Sequence, residues 1–173
     1  VVSTALDAGT TLFDSSPMYG KAERVLGTAL GSRRSGAVVA TKVWTEDDEV
    51  AEHQIAASLG FYDGHIELLQ IHNMVRWPER LRRIEELRDS GQVTFVGATH
   101  WQASSFDELE AAMVTGRLDA IQIPYNPRER EVEERLLPLA AELGLGVLIM
   151  RPFAAADLMR TIPSAAELAP LHP

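Results

Sequence analysis

Asp14, Tyr19, Lys42 and His72 are residue types that can move and hold protons. A lysine at the end of a buried strand is costly unless its charge is paired, and Asp14 is the obvious partner. A tyrosine beside that ammonium should have its pKa, ordinarily about 10, pulled down, because the cation favours phenolate. Such a tyrosine can donate a proton and take it back near neutral pH. His72 could hydrogen-bond a substrate oxygen or share in the proton transfer. The set suits the reduction of a carbonyl, in which hydride arrives at carbon while a proton arrives at oxygen. None of these side chains supplies hydride, so that chemistry would need a cofactor.

Each residue also has a plainer reading. The stretch TLFDSSPMYGKAERVLG, residues 11–27, runs from an apolar strand through a turn into a helix, and Asp14 or Ser16 could simply cap that helix. His72 taken alone fits a satisfied core histidine. What shifts the balance is where the polar residues fall. The apolar runs TLFD, VVATK, IELLQIH, VTFVGAT, AIQIPY and GVLIMRPF read as strands buried on both faces. Their polar ends are Asp14, Lys42, His72, Thr99, Gln122 and Arg151, with successive gaps of 28, 30, 27, 23 and 29 residues. Parallel strands point the same way, so these side chains should gather at one end of a sheet.

Between the runs lie helical patterns: GKAERVLGTAL, EDDEVAEHQIAASL, PERLRRIEELRDSG, SSFDELEAAMVTG and EREVEERLLPLAAELGLG. Pro78 marks one start and Ser104 with Glu108 another, while Gly91, Gly116 and Gly144 mark ends. EDDEV reads as a helix start whose carboxylates suit the helix dipole. EREVEER reads as a charged face, and His53 and His65 as surface residues. Trp77 is either a pocket residue or a loop anchor, and Arg151 either a pyrophosphate contact or a strand-end cap. Strict alternation of strand and helix argues for a parallel α/β fold. No G-x-G-x-x-G turn is present, which disfavours a dinucleotide-binding open sheet and favours a (β/α)8 TIM barrel, with its site at the carboxyl ends of the strands.

Composition narrows the partners. The 173 residues carry a net charge of −9 and no cluster of Lys and Arg, so neither nucleic acid nor an anionic membrane is expected. There is no cysteine, which excludes disulfides, thiolate metal sites and a cysteine nucleophile. Neither a membrane span nor a signal segment is evident, so the cytoplasm is the expected compartment. No metal is expected, because there is no His-x-His or dense carboxylate cluster. The chain starts at Val1 inside a helix that stops at Gly9, and finishes in PSAAELAPLHP, a short helical stretch. Both ends look cut.

At these residues the chain resembles the aldo-keto reductases. FDSSPMYGKAERVLG is similar to the family's first catalytic segment, ATKVW to its lysine strand and ELLQIHN to its histidine strand. LRDSGQVTFVGATHW, DAIQIPYN and VLIMRPF resemble the segments that follow in the same order. The resemblance implies Tyr19 as proton donor, Lys42 as the cation that lowers its pKa, Asp14 as the anchor of Lys42, and His72 as the group orienting the carbonyl oxygen. It implies a nicotinamide cofactor, usually NADPH, with NADH not excluded. Thr99, His100 and Gln122 would grip the carboxamide. Met150, Arg151, Pro152 and Phe153 would pack the ring and touch the pyrophosphate, and Trp44 and Trp101 would wall a pocket for a small carbonyl substrate. The sequence assigns no oligomeric state.

Three features depart from the family pattern. Thr99-His100 stands where Ser-Asn or Ser-Arg is common, and Met150 where an aromatic is usual. The chain covers only the second to the seventh strand, so residues 1–173 are expected to form a single, incomplete barrel domain of about six βα units. Two open strand edges should make it marginally stable and weak in NADPH binding. The competing readings are a nucleotide-sensing module or inactive truncated barrel, for which potassium-channel β subunits are a precedent, and a Schiff-base lyase using Lys42. The lyase would have no need of the Asp14–Tyr19 spacing or of Gln122.

Overall fold

The computed structural model describes residues 1–160. The helical stretch expected in PSAAELAPLHP lies outside the described residues. Six strands form, β1 (Leu12–Asp14), β2 (Val38–Val43), β3 (Ile66–His72), β4 (Val93–Thr99), β5 (Ala120–Pro124) and β6 (Gly146–Met150). All neighbours are parallel, and their order in the sheet is their order in the chain. Sequential order without reversal is the wiring of a barrel, not of a doubly wound sheet.

Curling is required by one contact. Gln122 on β5 donates its amide to Asp14 on β1 at 3.2 Å. On a flat sheet, strands four apart would lie about 19 Å from each other. The sheet therefore bends round on itself as an incomplete barrel.

The period of two sorts side chains between the two faces. Val39, Thr41, Val43, Leu69, Ile71, Val96, Ala98, Ile121 and Ile123 alternate with inward residues, and all are buried. The apolar ones join the main core with the inner faces of α2 (Ala22–Leu30), α3 (Asp48–Phe61), α4 (Trp77–Asp89), α5 (Phe106–Met113) and α6 (Leu136–Leu143). The inner face holds a much smaller apolar cluster, Ala40, Leu68 and Ala120 with Leu148 against it. Above that floor the inner positions are polar: Asp14, Lys42, Gln70, His72, Thr99 and Gln122.

Most element boundaries follow the sequence signals. Helix α1 (Val2–Asp7) is followed by Gly9 at φ +87°, and α4 opens with Pro78 in its first turn. Asp47 caps α3 by accepting from Val50 N at 2.9 Å, with Asp48 and Glu49 in the first turn. Three boundaries differ. Helix α5 begins at Phe106 after a short 3-10 turn, Ala103–Ser105, and Ser104 does not cap it. Helix α6 starts at Leu136 rather than near residue 129, because a helix running through Pro138 would set its ring against an upstream carbonyl. Strand β6 stops at Met150, short of Phe153, because Arg151 takes φ +55°.

Candidate active site

Strand ends and the loop after β1 enclose a cavity of about 290 Å³. Asp14, Tyr19, Lys42, His72, Thr99, Trp101, Gln122, Met150 and Arg151 line it, together with Met18 and Asn73. Every polar strand end read from the sequence is in this wall. Four further expected residues are elsewhere. Trp44 borders an adjoining groove with Val50 and Gln54, and Pro152 one with Tyr125 and Arg130. Phe153 is exposed. His100 is buried, and its Nδ1 accepts from Gln102 N at 3.0 Å.

Lys42 is 2% exposed and its ammonium is fully engaged. Nζ donates to both Asp14 oxygens at 2.7 and 2.8 Å and to Ser15 O at 2.8 Å. Those three bonds use the three donors an ammonium has. Burial lowers the Lys42 pKa from the ordinary lysine value, against the opposing pull of Asp14 and Glu23. Asp14 is held further by the Gln70 and Gln122 amides at 3.4 and 3.2 Å.

Tyr19 ends a 3-10 turn, Pro17–Tyr19, whose entry Ser16 caps by accepting from Met18 N at 3.3 Å. Ser16 thus caps this turn and not the helix α2 that follows, which begins after Lys21 without a side-chain cap, while Asp14 pairs with Lys42. Tyr19 is 50% exposed, and its ring stands edge-on to His72 with centroids 6.3 Å apart. The Lys42 ammonium lies 5.5 Å from the Tyr19 centroid. The expected lowering of the Tyr19 pKa is corrected: burial and the Asp14 carboxylate raise it, with only Arg151 pulling the other way. Asp14 screens the ammonium, so Tyr19 stays protonated at neutral pH.

His72 is buried, and Ser16 Oγ lies 3.1 Å from its Nδ1. Burial, the Lys42 ammonium and His100 push its pKa down to about 4. At neutral pH the ring is uncharged, a hydrogen-bonding group with no surplus proton.

Thr99 and Gln122 sit opposite each other in the β4–β5 register. Thr99 Oγ1 and Gln122 Oε1 are buried without a hydrogen-bond partner. A hydroxyl donor beside an amide acceptor complements a primary carboxamide, with its C=O and its NH2, so these residues fit a nicotinamide. Farther out, the Arg151 guanidinium lies 4.7 Å above the Trp101 ring and its Nη1 is 3.8 Å from Glu129. Trp77 packs on the main core, the loop-anchor reading. His53 is exposed, whereas His65 is half-buried and bonds Gly91 O and Thr94 Oγ1. Among the described residues no group of His, Asp and Glu could hold a metal ion, and no helix is long and apolar enough to cross a membrane.

The model of the aldo/keto reductase family matches residues 1–161. The chain belongs to that family. Similar aldo/keto reductases include the aldo-keto reductase YhdN of Bacillus subtilis (strain 168), 29% identical over 171 residues, covering 86% of this chain and 49% of that protein. The NADH-specific methylglyoxal reductase of Escherichia coli (strain K12) is 28% identical, covering 93% of this chain and 59% of that protein. The chain thus spans about half the length of the curated relatives it matches. Among solved structures, the glycerol dehydrogenase AKR11B4 from Gluconobacter oxydans is 26% identical with a TM-score of 0.75, covering 95% of this chain and 56% of that one. An aldo-keto reductase from Klebsiella pneumoniae in complex with NADPH shares the fold, with a TM-score of 0.77 at 24% identity, covering 91% of this chain and 58% of that one. An aldo/keto reductase is an oxidoreductase, and the polar strand ends lie at the carboxyl end of the strands, the face on which TIM barrels in general carry active sites.

Four residues in or behind the site are not singled out by the reading of the sequence: Met18 and Asn73 in the cavity wall, and Gln70 and Glu23. Gln70 lies two before His72, so the strand period alone assigns it to the same face. Glu23 is buried behind β2, where its Oε1 accepts from Thr41 and Ser58 hydroxyls at 2.6 and 2.7 Å. Its place in a charged helical pattern hid it.

Proposed function

We propose that this protein reduces an aldehyde or ketone to an alcohol, with NADPH as hydride donor, NADH as an alternative, and Tyr19 as proton donor. The observation that carries the proposal is the shared cavity: the Asp14–Lys42 pair, Tyr19 and His72 face it beside Thr99 and Gln122, whose Oγ1 and Oε1 atoms are unpartnered. Thr99 O–H would donate to the carboxamide oxygen and Gln122 Oε1 would accept from its nitrogen. The cofactor supplies the hydride that reaches the carbonyl carbon. Neutral His72 orients the carbonyl oxygen, and Tyr19 O–H delivers the proton to it. The Arg151 guanidinium, the charge that pulls the Tyr19 pKa down, steadies the resulting phenolate, while Lys42 holds Asp14 in the cavity wall. Tyr19 is exposed enough to regain its proton from solvent. Substrate selection falls to Met18, Trp101 and the loops around them.

A second reading, an incomplete barrel that carries the site without turnover, is favoured by the inner face itself. Leu12, Val38 and Phe95 are 44%, 39% and 50% exposed there, so the barrel floor is open to water. Titration of the chain with NADPH, followed by nicotinamide fluorescence with NADH in parallel, separates the two. Saturable binding and turnover of an aldehyde panel support the reductase. Saturable binding without turnover leaves the second reading. Failure to bind either dinucleotide ends the proposal for this chain.

A further inference from the structure

Ser16 has a bond that its capping role does not need. Its side chain is fully buried, between the turn carrying Tyr19 and the end of β3. One lone pair of Oγ accepts from Met18 N at 3.3 Å, and the other contact of Oγ is His72 Nδ1 at 3.1 Å. Among the described residues the hydroxyl hydrogen has no acceptor other than that nitrogen. A buried hydroxyl that gives up no hydrogen bond is costly, so the proton is best placed on the Oγ–Nδ1 line.

We propose that Ser16 is a positioning residue that fixes the tautomer of His72, leaving Nδ1 as acceptor and the proton on Nε2. This deepens the reductase reading and rests on it for its catalytic meaning. Nε2 makes no hydrogen bond with any described residue, and His72 lines the cavity. In this tautomer the cavity receives an N–H donor, which attracts a carbonyl oxygen. In the other tautomer it would receive a bare lone pair, which repels one, and the Ser16 hydroxyl hydrogen would be orphaned. A protonated ring would offer the same donor, but the Lys42 ammonium and burial disfavour it. The bond also ties the Tyr19 turn to β3, holding the two rings in their edge-on arrangement.

The test is 15N NMR of the imidazole nitrogens in the intact chain at neutral pH, for wild type, Ser16→Ala and Ser16→Thr. Wild-type His72 should show one neutral tautomer with Nε2 protonated and a hydrogen-bonded Nδ1. In Ser16→Ala the Nδ1 resonance should move and the second tautomer should appear, while Ser16→Thr keeps the wild-type pattern. His100 is the internal reference, since its Nδ1 is held by Gln102 N and should not respond. A purely structural role for Ser16 would not move the tautomer. Nδ1 protonated in wild type, or a His72 spectrum indifferent to Ser16→Ala, overturns the proposal, and the wild-type spectrum decides even if a variant does not fold. The readout needs neither cofactor nor turnover, so it can succeed where the reductase reading fails. If both hold, Ser16→Ala lowers kcat/KM by roughly tenfold, and Thr restores it.

Discussion

Both carboxylate oxygens of Asp14 meet a single ammonium, Lys42 Nζ, at 2.7 and 2.8 Å, across the gap from β1 to β2. That pair explains why an apolar strand ends on an acid: Lys42 is buried, and without Asp14 its charge would be uncompensated. Asp14→Asn should therefore cost about 2 kcal/mol, less than the 3–5 of a fully buried pair because water reaches part of Asp14. Lys42→Met added to Asp14→Asn should recover part of the loss, since it removes the stranded charge. Urea denaturation of the four members of the cycle measures this. Additive single effects would mean that the pair is not coupled.

The floor beneath the pair depends on a missing side chain. Gly97 faces Gln70 in the β3–β4 register, and a Cβ there would stand 2.9 Å from Gln70 Cγ, 3.0 Å from Leu68 Cδ1 and 3.2 Å from Ala120 O. Gly97→Ala should destabilise the chain by about 1–3 kcal/mol and push Gln70 away from Asp14. Thermal unfolding reads the first effect. An unchanged Tm would show that the inner face can yield.

His72 should leave a mark on acid stability. Its folded pKa is about 4, against about 6.5 in an unfolded chain. Between those values the unfolded chain binds a proton that the folded chain refuses, so falling pH favours unfolding. The contribution of neutral His72 is complete above pH 6.5 and is lost progressively down to about pH 4, about 3 kcal/mol in all. Urea midpoints at pH 7 and 4.5 should differ more for wild type than for His72→Asn. Equal differences would mean that His72 titrates normally.

How much of this was legible in the sequence can be read from particular residues. The strands could be placed because their apolar runs are short and bounded by turns, and their polar ends fall one βα unit apart. Fold and cavity wall follow from those two facts. Helix α6 is shorter than its sequence pattern because the charged lead-in masks the meaning of Pro138. Gln70 is inconspicuous inside a largely apolar run, although its spacing from His72 puts it on the inner face. The direction of the Tyr19 shift was not readable at all. It depends on whether the Lys42 field reaches the phenol or ends on Asp14, which is a matter of distances between strands. Trp44 lies two after Lys42, on the same strand period, but the chain leaves β2 at Val43 and carries it into another groove.

The central claim is that Tyr19 gives the proton in a nicotinamide-dependent carbonyl reduction. Tyr19→Phe removes the phenolic oxygen and keeps the ring against His72. The decisive measurement is single-turnover oxidation of NADPH by the chain with an aldehyde present, wild type against Tyr19→Phe, with cofactor affinity measured on both. The expected result is a loss of on the order of 10²-fold or more in rate with dinucleotide affinity unchanged. A variant that kept most of the wild-type rate would contradict the assignment.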